Sequence, residues 1–170
     1  GACTLDGACR VVWSSITPIE LFDIAADGRV LMGSHRNERG VDALLSGWSQ
    51  PRALIVAAET SLSRSISDDG RVAVVASHAT KEYEGYAVLA DRQGAIRLSS
   101  GDAIQVSPDG RSVLVASADA RVLSVAPVGM GATRAIPNPE GLAYEGLPSW
   151  LRDGSGLASA RLNQYRVTVA

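Results

Sequence analysis

Residues that build common active sites are scarce in this chain. Its 170 residues include two histidines, two cysteines, two methionines, one phenylalanine and, at Lys81, one lysine. A Ser-His-Asp triad would have to recruit His35 or His78, and neither lies near a nucleophile in a recognisable motif. Arginine makes up the rest of the sixteen basic residues, and net charge is −2 with a pI of about 5.7. No basic block is present, which excludes charge-driven nucleic-acid binding, and no acidic run forms a solvated tail. No apolar run approaches the ~18 residues of a membrane helix, and no charged-then-apolar signal segment opens the chain. The segment is therefore expected to be soluble, with no membrane contact of its own. Cys3 and Cys9 flank the Asp6-Gly7 turn, which would face them across a hairpin. A disulfide suits that geometry in an oxidising compartment, but the expectation adopted is two thiols at a strand end. Metal binding is not expected, because the Cys-x5-Cys spacing is too wide and no histidine lies nearby.

What the chain does have is a repeat. Asp-Gly recurs at Asp27-Gly28, Asp69-Gly70, Asp109-Gly110 and Asp153-Gly154, spaced 42, 40 and 44 residues apart. An apolar residue (Ile24, Ile66, Val106, Trp150) stands three places before each aspartate, and Arg29, Arg71 and Arg111 follow the first three glycines. In the Ser107–Ser117 unit, Pro108 suits the first central position of a type I turn and Gly110 the left-handed position closing a three-residue loop. The run Val113 to Ala116 is continuously apolar, as in a strand covered on both faces. A period of ~40–45 residues with four strands per unit is that of a β-propeller blade.

The expected fold class is therefore all-β: a β-propeller of four-stranded antiparallel blades in one domain, 1–170. The blades are a remnant at 1–13, then 14–58, 59–98, 99–136 and 137–170. The last stops one strand short, while the N-terminal remnant supplies a hairpin of two. About four blades are thus present, and the reading adopted is an arc of a larger, six- to eight-bladed propeller, the alternative being a closed four-bladed ring.

The units Leu21 to Leu31 and Val106 to Arg111 resemble propellers of the TolB and WD-repeat-like type. The Leu5-Asp6-Gly7 turn, Arg39-Gly40-Val41 and Tyr86-Ala87-Val88 are similar to the propeller tail of bacterial membrane-anchored serine/threonine protein kinases. The resemblance implies a non-enzymatic sensor or interaction module on the periplasmic side of a bacterial membrane, a cytoplasmic location being the alternative. It brings no catalytic residue and no cofactor. The fourth repeat departs from the pattern, with Arg152 in place of proline and Ser155 in place of arginine.

Turn chemistry accounts for Asp27, Asp69, Asp109 and Asp153, whose side chains accept local backbone amides. Asp68 and Asp69 do not supply the six to eight oxygens that calcium takes. An accessory propeller of a serine hydrolase or peptidase is the enzymatic alternative, although Gly154-Ser155-Gly156 has the wrong spacing for a nucleophile elbow. His35 and His78 each follow a serine at the end of a second strand, which places both on the rim opposite the Asp-Gly turns. That rim is chemically varied, with His35, Arg36, Glu38 and Arg39 beside His78, Lys81, Glu82 and Tyr83 and the 137–146 connection. It is the expected docking face for a protein or small-molecule partner, centred on Arg36, Arg39 and Tyr83, with histidine titration near pH 6–7 as a modulator.

Overall fold

The computed structural model describes residues 2–3, 5–11, 14, 19–34, 40–50, 52–53, 61–77, 83–138, 140–161 and 164–169. Every regular element among them is a strand. A hairpin of β1 (Ala2–Cys3) and β2 (Cys9–Arg10) comes first, and its register sets Cys3 opposite Cys9. Cys9 is disulfide-bonded, and Cys3 is the chain's other cysteine. The free-thiol expectation is therefore corrected, because the turn does bring the two strands into facing register.

Four larger antiparallel sheets follow, each ordered as it occurs in sequence. The first contains β3 (Ile19–Ile24), β4 (Val30–Ser34), β5 (Gly40–Leu44) and β6 (Arg52–Ala53). The second contains β7 (Ser61–Ile66), β8 (Val72–Ser77), β9 (Glu84–Leu89) and β10 (Ala95–Ser100). The third contains β11 (Asp102–Val106), β12 (Ser112–Ala116), β13 (Leu123–Pro127) and β14 (Arg134–Ala135). The fourth has three strands, β15 (Tyr144–Trp150), β16 (Leu157–Arg161) and β17 (Gln164–Val169). This is an all-β propeller arc. Strand β15 begins earlier than the Leu147 start read from sequence. A register break between Glu145 and Ser149 lets it pass through Gly146 and Pro148, since proline is tolerated at a bulge.

The inner strands alternate imperfectly for a structural reason. Each carries a bulge at the same place, between Leu21 and Asp23, Ser63 and Ser65, and Ala103 and Gln105. The residue after each bulge then reaches the next blade. Asp23 Oδ2 accepts the Ile66 N–H at 2.9 Å, Ser65 Oγ accepts the Val106 N–H at 2.8 Å, and Gln105 Oε1 accepts the Trp150 N–H at 2.8 Å. These three bonds staple the blades in register.

The core lies between blades rather than within any one of them. Leu31 and Leu45 of the first blade pack with Ile66, Ala73, Val75 and Val88 of the second. Val74 and Ala87, on the other face of the second, pack with Val106, Val113, Val115 and Ala126 of the third. Leu114 and Leu123 then pack with Tyr144, Trp150 and Leu157 of the fourth. Strand β8 is buried along its whole length, which is why Val72 to Ala76 is continuously apolar. Blades two and three approach so closely that a Cβ on Gly85 would lie 2.7 Å from the Ala103 Cβ.

Candidate functional site

The Asp-Gly turns are built by a serine and an aspartate acting together. Ser67 Oγ donates to Asp69 Oδ1 at 2.7 Å and accepts the Val72 N–H at 3.0 Å, while Asp69 Oδ1 also accepts the Arg71 N–H. Ser107, Asp109, Arg111 and Ser112 repeat this pattern. A third copy is formed by Ser117, Asp119, Arg121 and Val122 in the β12–β13 connection, on the opposite rim. The sequence reading passed over that stretch as a short loop. Its signal was the Ser-x-Asp-x-Arg spacing, masked because Ala120 stands at φ 54° where the other turns have glycine.

The expected three-residue loop holds only for the first turn, where the Ala25 N–H donates to the Arg29 carbonyl. In the next two, Ser67 donates to Val72 and Ser107 to Ser112, so four residues are enclosed. The serine hydroxyl holds the later amide in these turns, and Ala25 has no hydroxyl with which to do so. Gly28, Gly70, Gly110 and Gly154 all adopt positive φ, as expected. Hydrogen bonds also fix the charge of the aspartates. Asp109 is held below the usual carboxylate range first by the Ser107 hydroxyl and then by the Arg111 amide. Ser117 and Ser155 act in the same way on Asp119 and Asp153.

Neighbouring turns bond to one another through a single equivalent position. The Ala26 N–H donates to the Asp68 carbonyl at 3.1 Å, and the Asp68 N–H donates to the Pro108 carbonyl at 3.2 Å. Pro108 has no N–H to pass on. The line of bonds ends there, and a cleft of about 200 Å³ lies between the third and fourth turns. Ser107, Pro108, Asp109 and Ser112 form one side, and Trp150, Asp153 and Gly154 the other. The Trp150 ring is held by its Nε1–H, which donates to the Gln105 carbonyl at 3.4 Å. Two ionised carboxylates and an indole thus border one opening. The sequence reading treated the turn face as uniform; the proline at a position that donates in the two preceding turns was the available signal.

Of the residues expected on the opposite rim, Tyr83 is described and half-buried, and its carbonyl accepts the Gly101 N–H at 2.7 Å. His35, Arg36, Glu38, Arg39, His78 and Lys81 lie outside the described residues. Beside Tyr83, Glu84 accepts from Arg97 at 2.7 Å and from the Tyr86 hydroxyl at 2.6 Å. That acceptor, then burial, pushes the Tyr86 phenol up from its ordinary value. Ser155 donates its hydroxyl to Asp153 Oδ1 at 2.7 Å and so belongs to a turn. Among the described residues no group of three or more His, Cys, Asp or Glu could hold a metal ion.

No protein-family model and no curated protein matches the chain. Solved structures do. TolB from Acinetobacter baumannii superposes with a TM-score of 0.66 at 16% identity, covering 99% of this chain and 44% of that one. A TolB-type protein of Agrobacterium tumefaciens gives 0.64 at 18% identity, covering 94% and 60%. The Cps50 (Swd1) β-propeller domain of Myceliophteria thermophila gives 0.57 at 15% identity, covering 89% and 53%. The chain spans about half the length of these structures, and at such identities the likeness is one of fold: a β-propeller.

Proposed function

We propose that the chain is a non-enzymatic β-propeller interaction module that receives a cationic side chain of a protein partner in the cleft beside Pro108. The observation carrying this reading is the interrupted line of turn bonds, which leaves Asp109, Asp153 and Trp150 around one opening. Ionised carboxylates form charge-assisted hydrogen bonds with guanidinium, and an indole adds cation–π attraction. Amide-resolved NMR titration with N-acetyl-arginine amide tests it. Shifts should saturate at Asp109, Gly110, Asp153 and Gly154, weaken with salt, and be absent with N-acetyl-glutamine amide. Equal responses to both compounds would refute the cleft as a cation site.

A second reading places a partner on the opposite rim near Arg36, Arg39 and Tyr83, with His35 and His78 making binding pH-sensitive. The network of Glu84 with Arg97 and Tyr86 favours it by giving Tyr83 a fixed support. Replacing Arg39 and Tyr83 with alanine should weaken partner binding more than replacing Arg71 and Arg111; the reverse result would assign recognition to the turn face. The disulfide at Cys9 supports an oxidising, extracytoplasmic compartment for either reading.

A further inference from the structure

We propose that the outer face of the first blade is a docking surface for the fourth blade of a second copy of this chain, the two copies closing head to tail into an eight-bladed ring. The argument starts from the interface the fold already repeats. In the second blade Ile66, Ala73 and Val88 face the preceding blade, and in the third Val106, Val113 and Ala126 do so. All six are at most 8% exposed. The strand registers align them with Ile24, Val30 and Leu44 of the first blade. There Ile24 is 53% exposed, and Val30 and Leu44 are half-buried. The same apolar row is present without its cover.

The staple shows the same vacancy from both ends. The N–H groups of Ile66, Val106 and Trp150 donate to a side chain of the preceding blade, whereas the equivalent N–H of Ile24 turns back onto its own Asp23 Oδ1 at 2.9 Å. At the other end, Ser149 precedes Trp150 as Ser65 precedes Ile66, so it occupies the accepting position. It is exposed, and its hydroxyl donates to the Trp150 carbonyl at 3.3 Å, leaving oxygen lone pairs to accept. Ala158 lies opposite Ser149 in register, as Val74 lies opposite Ser65, and offers the apolar companion. One end lacks an acceptor and the other supplies one of a type that already serves in the second blade.

A second copy is the occupant because this chain carries both halves of the contact. Four sheets per copy give eight, within the range of closed propellers, and a two-fold axis along the ring closes both contacts at once. The A. baumannii TolB chain, of which this chain covers 44%, is also close to two copies in length.

The test is the mass of the 170-residue chain by sedimentation equilibrium across about a hundredfold range of concentration. A dimer is expected. Ile24→Asp and Ser149→Val should each weaken it at least about tenfold while leaving the far-ultraviolet circular dichroism unchanged. Mixing the two variants should restore an open heterodimer, since the Ser149 end of one still meets the Ile24 face of the other. A monomer at every concentration, or a dimer indifferent to both changes, would overturn the proposal. So would a dimer broken by Ile24→Asp but not by Ser149→Val, the mark of like faces meeting, or a polymer growing without closure.

Discussion

Replacing Ser65 with alanine removes the acceptor that staples the second blade to the third. Ser65 and Val106 are each 3% exposed, so the Val106 N–H is left buried without its partner at 2.8 Å. An orphaned buried amide costs about 1–3 kcal/mol, and the lost hydroxyl returns part of this by making the site more apolar. A net loss of about 1–2 kcal/mol is expected. With a urea m-value of about 1–3 kcal/mol/M, the midpoint should fall by roughly 0.5–1 M with m unchanged. Ser100→Ala, on an exposed residue, is the control and should stay within about 0.5 kcal/mol. Asp23→Asn separates bonding from charge, because the amide oxygen still accepts from Ile66 and should retain most of the stability. Urea unfolding followed by circular dichroism gives all three values. A Ser65→Ala midpoint no lower than that of Ser100→Ala would refute the idea that these bonds hold the blades together.

Glycine substitutions should rank by what surrounds them. Gly28→Ala meets open space and should cost only the left-handed backbone penalty of about 1–2 kcal/mol, whereas Gly101→Ala puts a Cβ 2.6 Å from the Ala116 carbonyl oxygen and should cost clearly more in thermal melts. Ala120→Gly relieves a positive φ at a price in unfolded-state entropy of about 0.4–1 kcal/mol, so the melting temperature should rise by a few degrees at most. Asp109, Asp119 and Asp153 are lowered in the folded state, so their contribution is complete above the ordinary carboxylate range and is lost as pH falls through their lowered values. Stability measured from pH 7 to 2 should therefore decline only below about pH 4, and Asp109→Asn should flatten part of that decline.

The repeat was legible because turn chemistry is local. An aspartate that accepts nearby amides and a glycine at positive φ must be neighbours in sequence, so Asp27-Gly28 and its counterparts announce themselves. The buried run of β8 was equally plain, since a strand covered on both faces has no polar positions. The staples were not legible. Asp23, Ser65 and Gln105 share only an oxygen able to accept, and each meets an amide 41 to 45 residues away. The bulges that aim them fall at Phe22, Arg64 and Ile104, three residues with no common chemistry. The cleft was hidden because it arises from a bond that Pro108 does not make. On the opposite rim, the sequence named a varied surface, of which Tyr83 is the one partner-binding candidate among the described residues.

The missing bond at Pro108 also sets how the arc yields to force. The second and third blades are pinned at both rims, by Asp68 to Pro108 on the turn side and by Gly101 to Tyr83 on the other. The third and fourth are pinned by Tyr144 to Ala120 on the far rim and by the Gln105 staple, with no matching turn-side bond from Pro108. That seam is a door hung on one edge. A torque that would have to break a backbone bond elsewhere is met here by a rotation of the fourth blade about its far rim, and the gap between Asp109 and Asp153 is where the door opens.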